Sequence, residues 1–325
     1  MMTDRANAIC LLEILREYSD EDHPLAMREI IQKVNVIYNL KPDRRTIYGA
    51  VALLIELGYD ISTYDDNGVG YYLYNRDFEQ SEILLLSNAV HSFPFISVKQ
   101  SEELIQKLQK QLSIHKRKRY KSLTLVRQEK KTNNRQVFLN IELLDEAIQS
   151  EKQVSFSYLQ YGTDKKLHLR RKEPYIVNPY GMVFMNEHYY LVCNLSGKPC
   201  TSLYRIDRIK DISVLDSEWD KQPESDLEVE NAVYAFSGKA EYIKMRCDKV
   251  ILNDAIDQFG TSAKIRDLNE NEFELTVKVP PRGMKFWTLQ YLPYVEVIEP
   301  KWLREEVIKA IPHKPLKSSK ENGII

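Results

Sequence analysis

Two groups of residues in this 325-residue chain have the types and spacing to handle nucleic acid. The first is Lys41, Arg44, Arg45, Thr46, Tyr48 and Gly49. Asp43, following Pro42, is a good helix cap. At 100° per residue Ile47, Ala50, Val51 and Leu54 then share one apolar face, while Arg45, Gly49, Ala52 and Glu56 lie opposite with Tyr48 at the edge. A helix entering a major groove needs cations at its start and small residues where its backbone meets the duplex. A helical protein-interaction domain with solvated arginines is the alternative. The second group is Tyr158, Arg170, Arg171, Tyr180, Tyr189, Arg205 and Arg208, with Lys172 and Tyr190 beside them. Cations for phosphate and aromatic faces for bases are what a single-strand or nucleotide site requires, and arginine can both stack and fork onto phosphate. Strand tyrosines can equally be core, and Arg208 can equally pair with Asp207 or a backbone carbonyl.

The elements that would hold the first group are short. Ala8, Leu11, Leu12, Leu15 and Tyr18 predict a helix over 4–19, broken by Asp20-Glu21-Asp22 and Pro24. Met27, Ile30, Ile31 and Val34 predict a second helix, and the third, from Asp43, ends at Gly58. Strand-like runs at 59–64 and 70–74 flank Asp65-Asp66-Asn67-Gly68, a turn signal. Gly68-Val69-Gly70 is read as a turn and not a nucleotide fingerprint. Helices are expected over 79–92 and 97–113, either side of Pro94, with a stripe of Leu104, Leu108 and Leu112.

For the second group, a helix with Leu143, Leu144, Ala147 and Ile148 on one face precedes many short strands: 154–158, 167–171, 175–177, 182–185, 189–193 and 202–206. Turns fall at Gly162-Thr163-Asp164 and Asn186-Glu187-His188. Such spacing suggests a small, strongly bent barrel or sandwich. Asp216 to Glu230 reads as a linker. Beyond it, strands at 242–246, 263–268, 273–279 and 295–298 alternate with helices at 250–259, 284–292 and 302–311, and the polar tail from His313 reads as disordered.

Net charge is −1, so no global field announces a polyanionic partner. Locally the charge is uneven. Residues 1–75 hold twelve acidic and seven basic side chains, which argues against DNA binding there, whereas 107–131 hold ten basic and one acidic. The run Lys116, Arg117, Lys118, Arg119, Lys121 is either a phosphate-contacting patch or a solvated helix end. Cys10, Cys193, Cys200 and Cys247 form no paired motif and are expected as buried, reduced thiols in a cytoplasmic protein. No apolar run is long enough to span a membrane. No catalytic motif is present and the six histidines lack metal-ligand spacing, so neither an enzyme, a cofactor nor a metal is expected.

The stretch Arg44-Arg45-Thr46-Ile47-Tyr48 to Leu53, with Gly70-Tyr71-Tyr72-Leu73, resembles the N-terminal domain of DeoR-type and related WYL-domain regulators, although Gly49-Ala50 replaces the Arg-Asp frequent there. Pro179-Tyr180-Gly181-Met182-Val183-Phe184, Tyr189-Tyr190-Leu191-Val192 and Tyr204-Arg205-Ile206-Asp207-Arg208-Ile209 resemble a WYL domain, with Tyr189 in place of the naming tryptophan. Val295-Glu296-Val297-Ile298-Glu299-Pro300 and Trp302 to Val307 resemble the extension that follows many WYL domains. The resemblance implies an α+β multi-domain chain: a winged helix-turn-helix over 1–76, a helical connector over 77–135, an Sm-like β-barrel over 136–218 and a small α/β domain over 235–312. It implies a transcriptional regulator that reads double-stranded DNA as a homodimer and answers to a nucleic-acid or nucleotide effector. A single-stranded RNA- or DNA-binding module of a defence or processing assembly is the rival, supported by the acidic balance of residues 1–75.

Overall fold

A computed structural model describes residues 4–117, 131–198, 200–221 and 239–311. The expectations for Lys118, Arg119, Lys121, residues 222–230 and the tail from His313 fall outside that range. The chain divides into two units, Met1–Arg135 and Gln136–Ile325.

The first unit opens with α1 (Asp4–Tyr18), α2 (Met27–Tyr38) and α3 (Arg44–Glu56). Their apolar faces meet in one core around Leu11, Leu15, Ile30, Val34, Ile47 and Leu54, all nearly or fully buried. Next come β1 (Ile61–Ser62), a helical turn α4 (Tyr64–Asn67) and β2 (Tyr72–Leu73). β1 and β2 pair antiparallel, so the expected hairpin is present but only two residues deep per strand. Asp65-Asp66-Asn67 are helical and not a tight turn. Thr63 and Asp66 cap that turn, and Gly68 ends it in the left-handed region. The Asn67 side chain then organises the return, accepting from the Val69 and Gly70 amides and donating to the Gly70 carbonyl. Gly70 has no room for a side chain, since a Cβ there would sit 2.5 Å from the Leu25 carbonyl oxygen.

The connector continues as α5 (Gln80–Ser92), α6 (Val98–Gln109) and a single turn, α7 (Ile114–Arg117). Electrostatics tie it to the N-terminal helices. Arg117 forks onto Glu17 at 2.6 and 2.7 Å, and Lys116 onto Glu21 at 2.7 and 2.9 Å. Between them the buried Asp20 accepts from the Ser113 hydroxyl and pairs with His23 Nδ1 at 2.7 Å. The His23 and His115 rings stack 3.8 Å apart. Arg76 donates to the carbonyls of Arg16, Ser19 and Gln111. Lys131 donates to the Phe93 carbonyl and the Ser101 hydroxyl. Three of the ten basic residues of 107–131 therefore serve internal contacts and do not form an open phosphate patch.

The second unit begins with α8 (Val137–Gln149), packed on a curled antiparallel sheet of β3 (Lys152–Tyr161), β4 (Leu167–Leu169), β5 (Tyr175–Met185), β6 (His188–Leu195), β7 (Thr201–Arg205) and β8 (Ile209–Glu218). The order is β4-β3-β5-β6-β7, with β8 on β3. The long β3 meets β5 through 154–156 and β4 through 159–161, and register shifts accompany its pairing with β8, so the sheet bends into a half-barrel. The two expected runs at 175–177 and 182–185 are one strand, bulged between Pro179 and Gly181. β8 went unread in the sequence because its inward apolar positions are interrupted by Lys210, Asp211 and Asp216.

The linker expected from Asp216 begins later. Ser217 bonds Gln153, the Trp219 indole donates to the Lys152 carbonyl, and Asp220 accepts from Ser196, the Gly197 amide and the buried Asn178. Residues 216–221 are thus stitched to the sheet. The last part of the chain is β9 (Glu241–Asp248), α9 (Leu252–Phe259), β10 (Lys264–Asp267), β11 (Glu272–Val279), α10 (Pro281–Gln290), β12 (Val295–Glu299) and α11 (Lys301–Ala310). Sheet order β10-β11-β9-β12 makes it a split β-α-β unit of ferredoxin-like pattern, with Trp287 and Phe273 at its core. The helix expected from Val250 starts as a 3-10 turn.

Asp20 sets a pH-dependent stability. Burial pushes its carboxyl up, but the Ser113 and His23 hydrogen bonds outweigh burial and hold it below the usual carboxylate range. A depressed native value adds stability above the unfolded value near ~4 and loses it as pH falls through the native one. Asp20→Asn is expected to lower the thermal midpoint at neutral pH, with the gap to the parent narrowing below about pH 4. An equal gap in a neutral and an acid melting series would show that the charge is not what matters.

Candidate nucleic-acid interface

The α3 face is built by capping and by what its acids do elsewhere. Asp43 accepts from the Thr46 amide at 2.7 Å, which fixes the first turn. Ile47, Ala50, Val51 and Leu54 turn inward, leaving Lys41, Arg44, Arg45, Tyr48 and Gly49 exposed and Thr46 half-buried at the margin. Among the described residues no carboxylate forms an ion pair with Lys41, Arg44 or Arg45, whereas Glu17, Asp20 and Glu21 are engaged by the connector. A Cβ at Gly49 would meet nothing within 4 Å. The six residues expected to work together therefore do lie on or beside one open surface. Tyr48 also approaches Tyr71 on the ribbon. Burial first, and that neighbour second, push the Tyr71 hydroxyl up to about 12.

In the curled sheet the expected set does not assemble as one surface. Tyr158 is buried in an aromatic cluster with Phe156, Tyr175 and Tyr204, centroids 5.0–6.5 Å apart, and its hydroxyl accepts from the Arg205 amide. It supports the site and offers no open face. Arg171 lies over the Tyr175 ring at 3.6 Å and donates to the Glu173 and Pro174 carbonyls. Arg170 is exposed, its amide donating to the Tyr158 carbonyl. The Tyr180 ring meets Trp219 edge-on and its hydroxyl donates to the Lys221 carbonyl. Tyr189 pairs with Phe184 across β5 and β6, while its neighbour Tyr190 pairs with Arg205 across β6 and β7. Successive side chains on a strand point to opposite faces, so Tyr189 is on the face away from Arg205.

What the structure does bring together is Arg205, Asp207, Arg208, His188 and Tyr190, with the Tyr158 hydroxyl behind them. Arg205 forks onto Asp207 at 2.8 and 3.0 Å, so it is Arg205 and not Arg208 that takes that carboxylate. Arg208 reaches over Tyr161 at 5.6 Å, and its buried Nε has no partner among the described residues. The His188 and Tyr190 rings stack at 6.4 Å, and the buried His188 Nδ1 is also unpartnered. His188 Nδ1 and Arg208 Nε are thus two buried polar atoms of one cationic cluster that have no hydrogen-bond partner among the described residues. His188 was hidden in the sequence as part of a turn. Its separation from Tyr190 by two residues, one strand period, was the signal that placed both on Arg205's face. Cys200 departs from expectation in being exposed, while Cys10, Cys193 and Cys247 are buried.

The cluster, and the sheet that holds it as far as Val214, fall within residues 140–214, which match the WYL domain. The chain carries a WYL domain. Residues 239–311 match the WCX domain, so the ferredoxin-like part is a WCX domain that follows it. No curated protein matches the sequence. Among solved structures the chain is similar to proteasome accessory factor B/C (PafBC) of Arthrobacter aurescens, at 18% identity and a TM-score of 0.27, over 99% of this chain. It spans 50% of that chain. A CRISPR Cas-related protein is similar at 14% identity and a TM-score of 0.36, over 91% of this chain and 95% of that one. Both likenesses are too loose to bear on the arrangement of this chain.

Gly49 gives a direct check on the openness of α3. Glycine inside a helix costs about 1 kcal/mol relative to alanine. With nothing near its Cβ, Gly49→Ala is expected to raise the thermal midpoint by about 2–4 °C. A fall in the midpoint would mean that the site is packed and not open.

Proposed function

We propose that this protein is a transcriptional regulator whose N-terminal residues 1–76 act as a winged helix-turn-helix, and whose WYL domain receives a nucleic-acid or nucleotide effector. On this reading α3 is the recognition helix and the β1–β2 ribbon is the wing. The observation that carries it is the α3 face: Lys41, Arg44, Arg45 and Tyr48 are exposed around an uncovered Gly49, with no acid paired to those cations among the described residues. Gly49 lets the helix backbone approach a duplex, and the cations at the start of the helix meet phosphates or guanine edges.

The acidic balance of residues 1–75 had favoured a single-strand binding module with a protein-binding N-terminus. Three of those twelve acids, Glu17, Asp20 and Glu21, are held by connector residues, which weakens that objection. WYL-domain proteins include ligand-responsive transcriptional regulators, which supports an effector role for the Arg205–Arg208 cluster. One short recognition helix reads few bases, so the reading includes a homodimer on paired half-sites. It includes a cytoplasmic location and no catalytic activity. No described helix is long and apolar enough to cross a membrane.

The test is fluorescence anisotropy on duplex DNA from the region upstream of the protein's own coding sequence, at low and moderate salt, against random duplex competitor. Binding that falls with salt and resists random competitor is expected. Arg45→Ala is expected to weaken it by about tenfold or more. Binding that random duplex displaces fully, or that Arg45→Ala leaves intact, would overturn the reading.

A further inference from the structure

His188 is the one titratable side chain in the WYL cluster whose ordinary range lies near physiological pH. It stands at the start of β6, at the mouth of the Asn186-Glu187 turn, where both turn residues have positive φ. That turn aims the first residue of β6 and sets its ring beside Tyr190. The residue is half-buried, its Nδ1 fully so and without a hydrogen bond. The charged and titratable groups around it are Tyr158 from β3, Tyr190 from β6, Arg205 from β7, and Asp207 and Arg208 from the following 3-10 turn, while β5 pairs with it through Met185 and Glu187 precedes it in the turn.

The balance of those groups is positive. Arg205 and Arg208 carry two charges, and Asp207 returns one. Burial first, then Arg205 and last Arg208, hold the His188 imidazole below its usual range, while the Glu187 backbone and Asp207 pull the other way. The free site therefore holds a neutral histidine beside two cations, with Asp207 already shared with Arg205. A phosphate group entering this cluster reverses the sign of the field. It supplies an acceptor where Arg208 Nε has none, and it offsets the arginine charges that, after burial, disfavour protonation of the ring.

We propose that His188 takes up one proton from solvent when a phosphate-bearing ligand occupies the Arg205–Arg208 cluster, so that the ligand is held more tightly as pH falls through the neutral range. This rests on the reading of that cluster as the effector site. Protonated His188 adds a charge-assisted contact to the phosphate that the neutral ring cannot make. By linkage, the affinity gains from the difference between the bound and free proton affinities of the ring.

The experiment uses the full chain and a short fluorescent oligothymidylate, whose phosphodiesters do not titrate near neutrality. Its anisotropy is read at about pH 6 and about pH 8 at constant salt, for the parent and for His188→Gln. The parent is expected to bind about three- to tenfold more tightly at the lower pH, and His188→Gln to show a flat response close to the parent's weaker value. A parent without pH dependence, or a variant with the parent's full dependence, overturns the proposal. Binding that persists in the parent but is pH-independent leaves the effector reading standing. Parent binding absent at both pH values, or binding that Arg205→Ala leaves unchanged, brings down the effector reading itself and the proposal with it.

Discussion

A buried carboxylate organises the first unit. Asp20 sits 1% exposed between the end of α1 and the start of α2, where a lone charge would be costly. It is tolerated because Ser113, His23 and the Asp22 amide all donate to it. Ser113 opens the turn that carries Lys116 and Arg117, so satisfying Asp20 also delivers those cations to Glu21 and Glu17. Individually the two exposed pairs are worth little. Around a buried anion that fixes their geometry, they clamp the connector against the N-terminal helices. Three acids are thus held by the connector, and among the described residues no carboxylate forms an ion pair with Lys41, Arg44 or Arg45.

The second unit shows the same economy with different chemistry. Its tyrosines were the obvious stacking candidates, yet Tyr158, Tyr175 and Tyr204 form the aromatic floor of the half-barrel. Their burial gives the thin sheet a core, and the Tyr158 hydroxyl positions the Arg205 backbone. Beside it lies a small polar cluster, with Arg205 held by Asp207 and Arg208 paired with no carboxylate among the described residues. The Asn178–Asp220 network at the opposite end of β5 closes the sheet by fastening 217–221 to it, which is why the apparent linker there is ordered.

Helix positions were legible because period and caps agree: Asp43 and Gly58 bracket α3, and the apolar stripe falls between them. The six-residue α3 set was legible for the same reason, since one helix face can be read from spacing alone. The effector set was less so. Its members come from four strands, the segment between β4 and β5 and a 3-10 turn, and which face each strand residue occupies depends on register. A shift of one residue exchanges the faces of Tyr189 and Tyr190. Arg205 and Asp207 form their pair across a 3-10 turn that no strand alternation announces. In the basic run after α6 composition counts charges without their partners: Lys116 and Arg117 meet Glu21 and Glu17, 95 and 100 residues away, whereas Lys118, Arg119 and Lys121 fall outside the described residues.

The central claim is a division of labour, with duplex reading on α3 and effector binding at the Arg205–Arg208 cluster. The measurement that tests it most directly is the duplex affinity of Arg205→Ala, with and without saturating oligothymidylate. Because Arg205 lies in the WYL cluster and not on α3, its loss is expected to leave duplex affinity in the absence of oligonucleotide within about twofold of the parent, while abolishing the response to oligonucleotide. A loss of duplex affinity as large as that from removing Arg45 would contradict the account.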